Sequence, residues 1–257
     1  FQDWERELDE SEAEQVGSLL QARITQKVPL AYLTGSTRFA GLVFETGKAA
    51  LVPRSPIAEL IQEQFRPWVE PEKVHRVLDM CTGSGCIAIS IASHMPWARV
   101  DAVDISPEAL DIAARNVSHH GMQDRVTLFE SDLFHSLPAC RYDLIVANPP
   151  YVPVASIPEL PGEYRAEPVL WLGSGSDGLD ATLSILATAA DFLSPGGVLV
   201  CEVGESEGRL QSVLPAVPFV WIEFASGGSG VFVMTKDELQ SSTQDISVLL
   251  EERKHVA

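Results

Sequence analysis

Asp79-Met80-Cys81-Thr82-Gly83-Ser84-Gly85-Cys86-Ile87-Ala88 is the stretch that decides the fold. The apolar residues at its start predict a buried strand at 77–80, and those at its end predict a helix at 86–93. Gly83 and Gly85 allow the backbone to approach a ligand closely at the carboxyl end of that strand. A strand, a glycine turn and a helix in this order indicate an α/β sheet with a ligand site at its edge.

Strands and helices alternate after this turn. Strands are predicted at 77–80, Arg99–Asp104, Val126–Glu130, Tyr142–Ala147 and 198–203, and helices at 86–93, 107–120, 181–193 and 207–214. The segments 219–224 and Val231–Thr235 flank a turn of glycine and serine and predict a closing antiparallel hairpin. The expected fold class is therefore α/β, with a doubly wound, mostly parallel seven-stranded sheet.

The residues before this unit predict smaller elements. A helix at 3–27 has an incomplete apolar stripe and is expected to be the last helix of a small helical domain. A β-hairpin is expected at Ser36–Phe39 and Leu42–Glu45, and a helix capped by Ser55 at 56–68. The expected organisation is a remnant of the helical domain (1–28), the hairpin with its connecting helix (29–70), the main α/β domain (71–236) and a polar, partly disordered tail (237–257) with a helix at 246–253.

Composition excludes several classes of function. The formal net charge of −18 disfavours sequence-independent binding to nucleic-acid phosphates, which needs clustered Lys and Arg; it either favours a basic partner or serves solubility alone. The four cysteines form no CxxC pair and the six histidines have no ligand spacing, so we expect no metal site and a reducing, cytoplasmic location. No apolar run approaches the ~20 residues that span a membrane, so no membrane partner is expected.

Asp104 ends the second predicted strand, 19 residues after Gly85. A carboxylate there can accept both hydrogen bonds of a ribose diol. The pattern Gly83-x-Gly85-x-x-Ala88 also fits a loose dinucleotide fingerprint, so NAD is an alternative cofactor at this point. Asp79 favours S-adenosylmethionine, because a carboxylate on the first strand would attract its ammonium and sulfonium charges and repel a pyrophosphate.

The loop after the third strand is expected to bind the adenine of this cofactor. Asp132 is placed either to accept from the adenine amino group or to cap its own loop. Leu133 and Phe134 can supply apolar walls. The expected cofactor-binding residues are Asp79, Cys81, Thr82, Gly83, Ser84, Gly85, Asp104, Ile105, Asp132, Leu133, Phe134 and Asn148.

Asn148-Pro149-Pro150-Tyr151 directly follows the fourth strand. The prolines cannot continue a strand or a helix, which leaves an amide, a stiff turn and an aromatic ring at the sheet edge. Asn148 Oδ1 and the Pro149 carbonyl can each accept one N–H of a planar NH2 group, on which Tyr151 can pack. We predict Asn148, Pro149, Pro150 and Tyr151 as the catalytic residues for methyl transfer to such a group.

These motifs together resemble a known family. Asp79, Gly83-Ser84-Gly85, Asp104 and Asn148-Pro149-Pro150-Tyr151 look like the motifs of the class I, Rossmann-like methyltransferases that modify exocyclic or amide NH2 groups. Adenine-N6 DNA methyltransferases and protein glutamine-N5 methyltransferases share this type of motif. The resemblance implies S-adenosyl-L-methionine as the methyl donor and S-adenosyl-L-homocysteine as the product.

The upstream segments are similar to the glutamine-N5 branch of the family. Pro29-Leu30-Ala31-Tyr32-Leu33-Thr34-Gly35 and Leu51-Val52-Pro53-Arg54-Ser55-Pro56 carry this likeness. Pro53-Arg54-Ser55-Pro56-Ile57-Ala58-Glu59-Leu60 and Gly162-Glu163-Tyr164-Arg165-Ala166-Glu167-Pro168 are similar to the members that act on protein three of the large ribosomal subunit. The resemblance implies a basic ribosomal protein as the substrate. Methylation of release factors at glutamine N5 and of nucleic acid at adenine N6 are the alternatives.

Arg54, Tyr151, Glu163, Tyr164 and Arg165 are the expected substrate-binding residues. The alternative is a structural ion pair between the segment of Arg54 and the loop of Glu163, Tyr164 and Arg165. Leu133 stands where the release-factor members of the family often place a tryptophan against adenine, so the resemblance implies no aromatic contact from that position.

Overall fold

The computed structural model describes residues 6–164 and 169–254. Its helices are α1 (Glu10–Gln26), α2 (Leu30–Thr34), α3 (Ile57–Gln62), α4 (Cys86–His94), α5 (Pro107–His119), α6 (Val169–Leu172), α7 (Asp180–Phe192), α8 (Glu207–Val213), α9 (Lys236–Ser241) and α10 (Thr243–Lys254). Its strands are β1 (Ser36–Phe39), β2 (Leu42–Glu45), β3 (Arg76–Met80), β4 (Arg99–Asp104), β5 (Val126–Glu130), β6 (Tyr142–Ala147), β7 (Leu193–Glu202), β8 (Val220–Trp221) and β9 (Val231–Thr235).

The main sheet has seven strands in the order β5-β4-β3-β6-β7-β9-β8. The pairs among β5, β4, β3, β6 and β7 are parallel, whereas β9 pairs antiparallel with both β7 and β8. The register sets Met80 beside Ala147 and Val103, so β3, β4 and β6 end at one edge. The predicted fold class, a mostly parallel seven-stranded sheet with a terminal hairpin, is confirmed.

Both faces of the sheet are buried, which explains why its strands read as continuous apolar runs. Val77 and Leu144 belong to the core that α3, α4 and α5 cover. Their neighbours in sequence, Leu78 and Ile145, point to the opposite core, which α7, α8, α9 and α10 cover. The alternation follows from the two-residue period of a strand.

The β1–β2 hairpin is fastened to α5 and to the glycine turn by one buried amide. Asn116 Oδ1 accepts from Glu45 N at 2.8 Å, and Asn116 Nδ2 donates to the carbonyls of Glu45 and Ser84 at 3.0 and 2.9 Å. Arg115 forms an ion pair with Glu45 alongside. The hairpin therefore supports the turn that the sequence predicts to bind the cofactor.

Three predicted elements are shorter in the structure. The helix expected at 56–68 ends at Gln62, because Gln64 and Phe65 adopt left-handed backbone angles and Pro67 cannot donate to a helical ladder. The strand expected at 219–224 is reduced to Val220–Trp221. The helix expected at 3–27 begins at Glu10, where Asp9 and Glu12 form a reciprocal capping box.

Residues 237–254 of the expected polar tail are ordered, and Lys236–Ser241 and Thr243–Lys254 form α9 and α10; the helix expected at 246–253 lies within α10. Thr235 and Glu238 form a capping box that starts α9. Leu239 and Ile246 are fully buried in the core beside α7. Arg253 forms ion pairs with Asp177 and Asp180 at the start of α7. The sequence did not predict this packing, because only two apolar side chains of α9 and α10 are fully buried and the rest of the segment is mostly polar.

Replacing Ile246 tests this packing. Ile246→Ala should lower the free energy of unfolding by about 3 kcal/mol, because it leaves a cavity at a fully buried position. Urea unfolding measures the loss. Val248→Ala on the same helix is the matched control, since Val248 is 49% exposed and should change stability by less than about 0.5 kcal/mol. Equal losses in the two variants would contradict the packing of α10 on α7.

Candidate active site

A cavity of about 340 Å³ opens at the carboxyl ends of β3, β4 and β6. Of the residues predicted for the site, it is lined by Arg54, Cys81, Thr82, Gly83, Ser84, Asp104, Ile105, Asp132, Leu133, Asn148 and Pro150. The fold therefore brings nine of the twelve predicted cofactor residues into one space, among them the predicted catalytic Asn148; Asp79, Gly85 and Phe134 are not in its lining. Open parallel sheets bind their ligands at this place.

The glycine turn closes one end of the cavity. Thr82 N donates to Val103 O at 2.8 Å and Gly85 N donates to Thr82 O at 2.9 Å, which fixes the turn against β4. A Cβ on Gly85 would lie 3.2 Å from Ala113 Cβ, so this glycine is needed where α4 packs on α5. A Cβ on Gly83 would meet no atom within 4 Å, which leaves that backbone open to a ligand.

Asp79 lies beneath the turn, outside the lining of the cavity. Its Oδ2 accepts from Thr82 Oγ1 at 2.5 Å and from Ala88 N at 3.0 Å, and its buried Oδ1 has no partner among the described residues. Burial raises the pKa of Asp79 to about 7, against the opposing effect of the two hydrogen bonds. A cation bound above the turn would stabilise the ionised carboxylate, as expected for the charged end of S-adenosylmethionine.

Asp104 stands at the end of β4 and is 5% exposed. Its Oδ2 accepts from Gly83 N at 2.8 Å and its Oδ1 accepts from Ser106 N at 3.0 Å. Each carboxylate oxygen has a second lone pair, so both can also accept from a ribose diol. Burial raises the pKa of Asp104, while the backbone donors Ser106 and Gly83 oppose that shift.

The loop after β5 forms the next part of the wall. Ser131 Oγ accepts from Ser136 N at 2.8 Å and thereby caps the loop, while Asp132 lines the cavity. This division of roles favours the adenine-binding alternative for Asp132. Leu133 lines the cavity in a left-handed conformation, with a φ of 46°. The expectation for Phe134 is not met, because its ring is buried against Phe192 and lines only a neighbouring pocket.

Asn148 and Pro150, which follow β6, also line the cavity. Asn148 N donates to Met80 O at 3.4 Å, which holds the turn beside the end of β3. The carboxamide of Asn148 has no hydrogen-bond partner among residues 6–164 and 169–254. An amide at the cavity wall without a protein partner is available to a bound substrate.

Tyr151 is hydrogen-bonded to a buried carboxylate. Its hydroxyl donates to Glu202 Oε1 at 3.2 Å, and it is absent from the described lining of the cavity. The expected packing of Tyr151 on a substrate amide stays a prediction. Burial raises the pKa of Tyr151, and the adjacent carboxyl of Glu202 raises it further.

The predicted substrate residues are held by contacts between three segments. The Arg54 guanidinium lies 4.2 Å from the centroid of the Tyr164 ring, and Arg54 also lines the cavity. Glu163 pairs with Arg23 of α1 at 2.5 Å. The loop is thus tied to α1 by an ion pair and to Arg54 by a cation–π contact. Arg165 lies outside the described residues.

The sequence reasoning missed part of the wall. Trp171, Gly173, Asp180, Ala181 and Ser184 also line the cavity. Val152 forms a bridge with Gly173, with Val152 N donating to Leu172 O at 2.8 Å, and this brings the segment back to the turn. A contact between residues that are 20 positions apart cannot be read from the local sequence around either of them.

Metal ligands and membrane-spanning helices were both considered in the sequence. The described residues contain no group of three or more His, Cys, Asp or Glu side chains that could hold a metal ion. Among the helices of residues 6–164 and 169–254, none has both the length and the apolar character needed to cross a bilayer.

Asp104→Ala should weaken S-adenosylmethionine binding by about 100-fold, because it removes two acceptors to the ribose, each worth about 1.5 kcal/mol. Isothermal titration calorimetry measures the dissociation constant. Asp111→Ala removes the same charge from an exposed position on α5 and should leave affinity unchanged. Tight binding of NADH in place of S-adenosylmethionine would contradict the cofactor assignment.

The affinity for S-adenosylmethionine should depend on pH through Asp79. The cation favours the ionised carboxylate, so binding releases a proton wherever Asp79 is protonated in the free protein. With a pKa of about 7 for Asp79, the dissociation constant should rise about 10-fold between pH 8 and pH 6. In Asp79→Asn the dependence should flatten over this range. An unchanged slope in that variant would assign the proton to another group.

The chain is similar in sequence to bacterial proteins that are named as glutamine methyltransferases. A model of the methyltransferase small domain matches residues 61–157. The ribosomal protein uL3 glutamine methyltransferase of Xanthomonas campestris pv. campestris is 50% identical over 244 residues, which covers 95% of this chain and 79% of that protein. The enzyme of the same name from Bordetella pertussis is 47% identical over 232 residues, covering 90% and 78%.

Solved structures share the fold at low sequence identity. The hMettl16 catalytic domain, in complex with MAT2A 3′UTR hairpin 6, matches with a TM-score of 0.56 and 15% identity over 88% of this chain and 81% of that one. A methyltransferase from Pyrococcus furiosus matches with a TM-score of 0.54 and 18% identity over 87% and 98%. These likenesses show the methyltransferase fold alone. The sequence relatives go further, and they confirm the resemblance inferred from the motifs: the chain belongs to the family of ribosomal protein uL3 glutamine methyltransferases.

Proposed function

We propose that this protein transfers a methyl group from S-adenosylmethionine to the side-chain amide nitrogen of a glutamine in ribosomal protein uL3. The observation that carries the proposal is the carboxamide of Asn148, which has no protein partner among the described residues. It lies in the wall of the cavity that the glycine turn and Asp104 also line. The names of the sequence relatives support the choice of protein substrate.

The turn of Asn148 and Pro149 would present two acceptors to an NH2 group; of the two residues, Asn148 lines the cavity. Asn148 Oδ1 would accept one N–H of the glutamine amide and the Pro149 carbonyl the other. An amide nitrogen is a poor nucleophile because its lone pair is delocalised into the carbonyl. Two acceptors fix the axis of that lone pair and stabilise the positive charge that develops on nitrogen.

The residues across the cavity hold the donor. Asp104 would accept from the ribose hydroxyls, Asp132 from the adenine amino group, and Ile105 and Leu133 would provide apolar contact. When bound, S-adenosylmethionine supplies an electrophilic methyl group on a sulfonium. No strong base needs to act before transfer, because the N–H becomes far more acidic once the nitrogen is methylated.

Arg54 and Tyr164 are proposed to contact the protein substrate at the mouth of the cavity. Arg54 lines the cavity while its guanidinium packs on Tyr164. Glu163 supports the same loop through Arg23. The place of Arg54 in the cavity lining supports its role in substrate binding, while its contact with Tyr164 supports a structural role beside it.

The net charge of −18 favours a basic substrate over a nucleic acid. A ribosomal protein is such a substrate, and long-range attraction would raise its rate of association. We propose the cytoplasm as the place of this reaction.

Asn148→Ala should reduce methylation of uL3 by about 100-fold or more, because it removes one oriented acceptor for the amide. S-adenosylmethionine affinity should change by less than about threefold, since Asp104 and the glycine turn remain. Transfer of labelled methyl groups to purified uL3 gives the rate, and mass spectrometry of the product identifies the modified residue.

Release factors and an RNA hairpin, incubated in parallel, separate the alternatives. Methylation of a release factor in preference to uL3 would replace the proposed substrate with another glutamine-containing protein. Methylation of adenine would place the enzyme among the nucleic-acid methyltransferases. Near-normal turnover by Asn148→Ala would contradict the mechanism itself.

A further inference from the structure

Glu202 is a buried carboxylate that the motifs did not identify. It ends β7 and is 5% exposed. Its Oε2 accepts from Ser55 Oγ at 2.5 Å and its Oε1 accepts from Tyr151 OH at 3.2 Å. One carboxylate therefore joins two segments that are 96 residues apart in the sequence.

Both segments contribute residues to the cavity wall. Ser55 belongs to the stretch Pro53-Arg54-Ser55, all of which lines the cavity. Its Oγ also accepts from Ile57 N at 3.1 Å, so the hydroxyl is held from both sides. Tyr151 ends the Asn148–Tyr151 turn, whose Asn148 and Pro150 also line the cavity. Through these two hydrogen bonds, Glu202 fixes the distance between the Pro53–Ser55 segment and the Asn148–Tyr151 turn.

The surroundings of Tyr151 are shaped to keep its ring directed at Glu202. A Cβ on Gly204 would lie 2.5 Å from Tyr151 Cε2, so only glycine leaves room for the ring. A Cβ on Gly178 would lie 2.2 Å from the Tyr151 carbonyl oxygen. Ser206 Oγ donates to that same oxygen at 2.7 Å. The tyrosine is therefore held at its ring, its hydroxyl and its backbone.

Stability alone does not account for a carboxylate at this position. Burying a charge costs free energy, and apolar side chains of similar volume often hold packed segments at least as well. A carboxylate provides something that apolar contact does not, namely two directional acceptors on one rigid plane. Such acceptors fix distance and orientation, which matter where two reacting groups must be aligned.

We propose that Glu202 is a positioning residue for methyl transfer, which holds the Asn148–Tyr151 turn in register with the Pro53–Ser55 wall. This role rests on the proposed function, because the turn is the part that would orient the glutamine amide. Glu202 acts through Tyr151 and Ser55 and touches neither the donor nor the substrate.

Glu202→Gln tests the role with a side chain of nearly equal size. Gln presents one acceptor and one donor to two hydroxyls, so one of the two contacts is lost or reversed. With uL3 as substrate, kcat should fall about 10- to 100-fold, while KM and the dissociation constant of S-adenosylmethionine change less than about twofold. Ser55→Ala should lower kcat in the same way. The double variant should lose little more than Glu202→Gln alone, because the two residues act through one contact.

Cys201→Ala is the matched control. Cys201 precedes Glu202 in β7, is fully buried, and points to the opposite face of the sheet, in the core beside α7. The Cys201→Ala substitution should lower the melting temperature and leave kcat unchanged. A kcat for Glu202→Gln within about twofold of the wild type, or a loss no greater than that of Cys201→Ala, would overturn the proposal.

Hydrogen exchange measured by mass spectrometry tests the same link without any substrate. In Glu202→Gln, peptides that cover residues 51–57 and 150–153 should both exchange faster, whereas Cys201→Ala should leave both unchanged. Unchanged exchange in Glu202→Gln would overturn the proposal whatever the substrate is. A further outcome is that the wild type fails to methylate uL3 while both peptides exchange faster in Glu202→Gln. In that case the substrate assignment is wrong and the positioning role of Glu202 is retained.

Discussion

Buried carboxylates must be given hydrogen-bond donors, and this constraint organises the edge of the sheet. Asp79, Asp104 and Glu202 lie at or next to the carboxyl ends of three parallel strands. Each accepts from a segment that forms the cavity: Asp79 from the glycine turn and the start of α4, Asp104 from Gly83 and the start of α5, and Glu202 from Ser55 and Tyr151. The loops of the site are therefore held by charges anchored in the sheet.

The same constraint explains how a generic fold becomes a specific site. Parallel strands end at one edge in every protein of this architecture, and that edge is a place where ligands bind. The specificity lies in the residues that come directly after each strand. Gly83 lines the cavity and a Cβ there would meet no atom within 4 Å, whereas Asn148 presents a carboxamide without a protein partner among the described residues.

Elements outside the main sheet add support to the same space. Asn116 couples the β1–β2 hairpin to the carbonyl of Ser84, so the glycine turn is braced from behind. Arg253 of α10 pairs with Asp180, which lines the cavity at the start of α7. Arg23 of α1 reaches the loop of Glu163. The hairpin, α1 and the last helix therefore all contact segments that border the cavity.

The sequence by itself determined the fold class, the glycine turn, Asp104 and Asn148, because these depend on local chemistry: strand periodicity, glycine backbone freedom and prolines that end a strand. Only the tertiary structure decided the position of Tyr151, the use of Glu202, the contribution of Trp171 and the folding of α9 and α10. These features depend on contacts between residues far apart in the chain. No sequence pattern links a buried carboxylate to its two hydrogen-bond donors. The burial of the carboxylate and its distance to the donors depend on how the segments pack, and not on the residues that neighbour each of them in the chain.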